Sequence, residues 1–182
     1  AEGEWGFLKE LPGLRTMSIW HGKGFRNLEP FSGLPLESLT IGGCMGLRDL
    51  NREEPAGHLN AVLTLHDLPK LKKLSLYHTP LCPEDAHLAH IAREFPNLED
   101  LRLDFAAPRG FQTRITPEGL ARLQALPLSV LTIENGQAFT DDHMRAIAGI
   151  RTLRSLVVDE KAKPMDPALV DAFKKLRADV AV

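Results

Sequence analysis

Short apolar runs of the form L-x-x-L-x-L recur six times along the chain. They are Leu14-Arg-Thr-Met17-Ser-Ile19, Leu36-Glu-Ser-Leu39-Thr-Ile41, Leu71-Lys-Lys-Leu74-Ser-Leu76, Leu98-Glu-Asp-Leu101-Arg-Leu103, Leu128-Ser-Val-Leu131-Thr-Ile133 and Leu153-Arg-Ser-Leu156-Val-Val158. A weaker seventh, Val180-Ala-Val182, follows. The last three positions of each run alternate with period two, which predicts a short strand with one buried face. Downstream of four runs come helix-start signals: Cys82-Pro83-Glu84, Thr116-Pro117-Glu118, Thr140-Asp141-Asp142 and Asp166-Pro167-Ala168. Thr116, Thr140 and Asp166 offer short polar side chains to the free amides of a first turn. Proline suits the first helical position, where its missing N–H would have no partner.

Apolar residues then recur at one-face helical spacing: Leu88, Ile91 and Phe95; Leu120, Leu123 and Leu126; Met144, Ile147 and Ile150; Val170, Phe173 and Leu176. Leu11-Pro12, Leu68-Pro69, Phe95-Pro96 and Leu126-Pro127 mark stops, because the residue before proline is pushed out of the helical region. Strand, loop, capped helix and proline stop make a βα unit. One such unit cannot bury both of its apolar faces, whereas a stack of them can. The middle residues Met17, Leu39, Leu74, Leu101, Leu131 and Leu156 lie 22, 35, 27, 30 and 25 positions apart, a period that means a stacked solenoid.

Trp5, Leu8 and Leu11 repeat the helical spacing, so a helix is expected before Leu14. Neither terminus offers an obvious polar cap for a stack. The expectation is therefore a piece of a longer chain, with self-association through the strand at Val180–Val182, or short ends tolerated because the edge is small, as the alternatives. The least regular part is 51–67, read as a solvated loop followed by a short helix or extra turn from His58 to His66. A second loop insertion is expected at Ala106–Thr113.

The 182 residues suffice for a single domain, 1–182, of six to seven repeats. Charged residues are 25% of the chain with a net charge of -2 and mixed signs, unlike the clustered basic face of a nucleic-acid binder. No apolar stretch approaches the roughly 20 residues of a membrane span. Cys44 and Cys82 give no disulfide framework and fit a reducing, cytoplasmic compartment slightly better than an oxidising one. The first residue is Ala1, and an exported protein with a cleaved signal fits that start as well as a trimmed chain does.

No phosphate loop, zinc-protease motif or nucleophile elbow is present, and no histidine is placed to activate either cysteine. The reading is no enzyme, no metal and no cofactor. His87 and His90, three apart on one helix, lack a third ligand nearby and are expected on a solvated surface.

These runs resemble the leucine-rich repeat superfamily over nearly the whole chain. Cys44 and Thr79 fall in that family's Asn/Cys slot after the strand. The segments Ile115-Thr-Pro-Glu-Gly-Leu120 and Phe139-Thr-Asp-Asp-His-Met144 are similar to the helix starts of its cysteine-containing and ribonuclease-inhibitor-like subclasses, with irregular repeats of bacterial type. The slot departs from the pattern at Ala106, Gly136 and Lys161. The resemblance implies an α/β solenoid: a curved parallel β-sheet on the concave side, helices on the convex side.

With the strands in register, outward positions form columns. The first is Ser18, Thr40, Ser75, Arg102, Thr132, Val157; the second Trp20, Gly42, Tyr77, Asp104, Glu134, Asp159; the third His21, Gly43, His78, Phe105, Asn135, Glu160. Trp20, His21, Tyr77, His78 and Phe105 gather aromatic rings in the early repeats, with Gly42 and Gly43 leaving a gap. Asp104, Glu134, Asp159 and Glu160 form an acidic column in the later ones, beside Arg102. Exposed aromatics next to charged rows are typical of binding hot spots. The expected function is a non-enzymatic protein or peptide interaction module whose partner sets an apolar group on Trp20 and Tyr77 and basic groups on the acids. The alternative is the substrate-targeting domain of a larger effector or ligase.

Overall fold

The computed structural model describes residues 5–21, 27–43, 62–77, 84–104, 115–136, 138–159 and 165–182. Cys44, Thr79, Cys82, Pro83, Ala106, Lys161, the loop at 51–61 and the insertion at 106–113 lie outside them. The fold is α/β, with one six-stranded sheet. Its strands are β1 (Thr16–Trp20), β2 (Ser38–Gly42), β3 (Lys73–Tyr77), β4 (Asp100–Asp104), β5 (Val130–Glu134) and β6 (Ser155–Asp159). They pair in parallel and in strict chain order. α-Helices α1 (Asp85–Glu94), α2 (Pro117–Ala121), α3 (Asp141–Ala148) and α4 (Pro167–Leu176) lie between or after the later strands.

The register is that of the repeat. Met17 pairs with Leu39, Leu39 with Leu74, Leu74 with Leu101, Leu101 with Leu131 and Leu131 with Leu156. Below each strand, one carbonyl receives two amides of the next unit: Arg15 from Glu37 and Ser38, Glu37 from Lys72 and Lys73, Lys72 from Glu99 and Asp100, Glu99 from Ser129 and Val130. The same step carries Arg154 and Ser155 onto Ser129. The C-terminal run joins this ladder in one bridge: Ala181 N–H donates to Arg154 O at 2.9 Å and Leu156 N–H to Ala181 O at 2.8 Å.

One core runs between the inward sheet face and the helices. The inward leucines and isoleucines of β2 to β5 are fully buried, whereas Met17 and Ile19 on β1 are half-exposed because no strand covers that edge among the described residues. The apolar faces of α1, α2 and α3 are buried as their spacing predicts. In α4 only Phe173 is fully buried; Val170 is half-buried and Leu176 is 53% exposed, since α3 packs on one side only among the described elements. The helix expected before Leu14 is a 3₁₀ turn, Gly6–Glu10, that buries Leu8 and leaves Leu11 exposed. Its bonds are of the tighter i→i+3 kind, Leu8 N–H donating to Trp5 O (3.0 Å) and Leu11 N–H to Leu8 O (3.1 Å). Within the irregular stretch, Val62 and Leu65 join the core, and Thr64 ties it to the second repeat by accepting from Leu28 N–H (2.9 Å).

The helix starts share one requirement met in two ways. Glu84 and Thr140 present their own backbone N–H groups to Nδ1 of the histidine three residues on, His87 at 3.0 Å and His143 at 3.2 Å. His143 therefore carries its proton on Nε2, which donates to Ile115 O of the previous unit at 3.0 Å. At the start of α2 that histidine position is Gly119. The Thr116 N–H instead donates to Asp85 Oδ1 of α1 (2.8 Å), and the Thr116 hydroxyl donates to Asp85 Oδ2 (2.7 Å). A Cβ at Gly119 would overlap that carboxylate, so the glycine makes room for the neighbour's side chain. Thr116 and Asp166 cap as expected, accepting from Gly119 N–H and Ala168 N–H.

His87 and His90 are thus not on a solvated surface. Both are buried, and His90 Nε2–H donates to Leu65 O (2.7 Å) while Nδ1 accepts from Arg93 (3.1 Å). Helical spacing alone could not distinguish this inner face from an outer one.

The last unit supplies a polar seal that was not expected. Its strand-entry turn, closed by Val180 N–H onto Arg177 O, matches those closed by Leu98 onto Phe95 and Leu153 onto Ile150. Arg177 thus stands where earlier units carry an apolar residue. Its guanidinium donates to Ala148 O and Ile150 O (2.9 Å each), to Leu153 O (3.0 Å) and to Asp179 (2.8 and 2.9 Å). The Asp179 bonds raise the Arg177 pKa and hold the Asp179 carboxyl below its usual range.

Candidate functional site

Strand alternation turns Ser18, Trp20, Thr40, Gly42 and their register partners away from the core. Trp20 lies opposite Gly42, and Gly42 opposite Tyr77; further along, Asp104 lies opposite Glu134, and Glu134 opposite Asp159. His21 follows β1 in a left-handed conformation (φ 55°) and extends the ladder by donating to Gly42 O at 2.9 Å. Gly43 and Asn135 hold the same conformation at the same repeat position (φ 58° and 56°), so the three described members of the third column leave the sheet in a left-handed conformation. Glycine and asparagine tolerate that region best. His78, Phe105 and Glu160 lie outside the described residues, and of Tyr77 and Asp159 only the backbone is described.

The expected gap at Gly42 and Gly43 is filled. A Cβ on Gly42 would fall within 3.0 Å of three consecutive Trp20 ring atoms, Cε3, Cζ3 and Cδ2. A point beyond the ring edge would be far from the third atom, so that position lies over the ring face. The indole is laid flat on β2, yet Trp20 remains 52% exposed. A Cβ on Gly43 would lie 2.8 Å from His21 Nδ1, so the imidazole packs there in parallel fashion along the column. The glycines act as seats for the rings of the preceding unit.

Around this platform stand hydroxyls. Thr16 and Ser18 on β1, both exposed, pair in register with Ser38 and Thr40 on β2, both partly buried. Among the described residues their side chains make no hydrogen bond. Charges at the strand entries are matched between neighbouring units, Arg15 with Glu37 (3.5 Å) and Lys72 with Glu99 (3.1 Å), and on the strands Lys73 pairs with Asp100 (2.6 Å).

The acids of the later strands are engaged inside the protein. Glu134 is 2% exposed and pairs with Arg102. Asp104 is 4% exposed and accepts from Asn135 Nδ2 at 2.6 Å. The acidic column is therefore not an open acidic surface at Asp104 and Glu134, because the chain provides its own donors. Arg102 and Asn135 stood in the columns on either side, but counting charges by column does not show which side chains meet.

No group of three or more histidine, cysteine, aspartate and glutamate side chains among the described residues is arranged to hold a metal. No helix among them is long and apolar enough to cross a membrane. No protein-family model matches the chain, and no curated protein or solved structure matches it. The platform and its hydroxyl surround place a flat apolar ring and hydrogen-bonding groups side by side on one face of the sheet.

Proposed function

We propose that the chain is a leucine-rich repeat solenoid that works as a non-enzymatic interaction module, binding a protein or peptide on the outward sheet face. The strand order and the carbonyl-to-amide step repeated from Arg15 to Ser129 support the stacked reading. One observation carries the binding reading: the Trp20 ring is laid flat on Gly42 and left half in solvent, at the first position of an outward column. A large aromatic gains most from burial, and a partner that covers it recovers that energy. The matched charges and the buried Asp104 and Glu134 move the contact toward β1 and β2, away from β4 and β5.

Selection of random peptides on the folded protein, counter-screened against Trp20→Ala, tests the reading. Binders that lose affinity in Trp20→Ala and retain it in Arg154→Ala support the site. Binders indifferent to Trp20 contradict it.

A further inference from the structure

Resting on that reading, we infer that the occupant of the β1–β2 face is an uncharged, proline-rich segment in extended polyproline conformation. Three observations define the complement. The exposed Trp20 face is flat and is fixed by its seat on Gly42, which suits stacking against a rigid prolyl ring. Four hydroxyls, Thr16, Ser18, Ser38 and Thr40, form a two-by-two array on adjacent strands without partners among the described residues. Rows of that array are about 4.8 Å apart across the strands. Polyproline backbone has no internal hydrogen bonds, so its carbonyls need outside donors, and hydroxyls supply them.

Third, the charges described next to these strands are paired with one another, as at Arg15–Glu37 and Lys73–Asp100, so among the described residues the pairs offer little to select an ionic ligand. A neutral ligand that is already extended also loses little entropy on binding.

Trp5 and Trp20 are the two tryptophans of the chain, so Trp5→Phe leaves Trp20 as the single indole reporter. That protein is titrated with a proline decapeptide, a lysine-containing decapeptide and a neutral oligosaccharide, cellohexaose. The expected result is a saturable change in Trp20 emission with the proline peptide and none with the others. Adding Gly42→Ala, which lifts the ring while keeping the indole, should weaken binding about tenfold or more. Circular dichroism verifies that the variant stays folded.

No saturable change with the proline peptide, a response to cellohexaose in its place, or unchanged affinity in Gly42→Ala overturns the inference. If display then yields Trp20-dependent binders without proline, only the ligand assignment falls. If all binders ignore Trp20, the underlying site reading falls as well.

Discussion

Replacing Arg177 with alanine should weaken the fold more than any surface substitution of similar position. Its side chain is 14% exposed and reaches three backbone carbonyls of the preceding unit at 2.9 to 3.0 Å. Each such bond is worth about 1 kcal/mol net, so the loss should be about 3 kcal/mol. The Asp179 carboxylate is 69% exposed and its ion pair adds little to that. For a chain of this size each kcal/mol lowers the midpoint by about 2–4 °C, which places the alanine variant about 6–12 °C below the parent. Thermal unfolding followed by circular dichroism measures this directly. Arg177→Lys should recover little, since an ammonium cannot span three carbonyls as the planar fork does. Asp179→Ala should stay near the parent. Hydrogen exchange should quicken at the Ala181 and Leu156 amides, which the sealed turn holds in the ladder. An alanine variant that melts within about 1 °C of the parent refutes the seal.

Three further outcomes follow from the described contacts. His143→Ala removes both hydrogen bonds linking α3 to its cap and to Ile115, together with the stacking on Phe139, and should cost about 2–4 kcal/mol by urea unfolding; a loss near zero contradicts the role. Gly119→Ala should destabilise by about 1–3 kcal/mol through overlap with Asp85, and the Gly119→Ala/Asp85→Ala double variant should lose less than the sum of the singles. Additive losses would show that the two side chains do not meet. His66 has its pKa raised above 6.5 by hydrogen bonds first to Asp67 and then to Glu29. Its contribution is fully present below 6.5 and fades as pH rises through the higher folded value. The parent's small advantage over His66→Gln should therefore be largest well below pH 6.5 and shrink above it; an advantage that grows with pH reverses the sign.

The strands were legible because period-two alternation and leucine spacing act at short range, and all six runs formed strands in the expected register. The caps at Thr116 and Asp166 were legible for the same reason. What was hidden depends on contacts between units. His87, His90 and His143 lie on helices where sequence shows spacing but not which neighbour supplies a carbonyl. Gly119 reads as a weak helix position until Asp85 from another helix is seen to need its space. Trp20 and its row are visible in the outward columns, yet Gly42 reads there as empty, because the side chain that fills it comes from the strand next door. Asp104 and Glu134 likewise read as open in the sequence, although Asn135 hydrogen-bonds the first from the neighbouring unit and Arg102 pairs with the second from the adjacent strand. Arg177 left a signal that could have been used: a cationic residue in a column otherwise filled by Leu11, Leu68, Phe95 and Ile150.

The most direct measurement is amide hydrogen exchange on the protein with and without a saturating peptide selected on it. Contact on the outward face of the first two strands predicts slowed exchange at Thr16–His21 and Ser38–Gly43, with α3 and α4 unchanged. Protection confined to the helices, with those two strands unaffected, would contradict it.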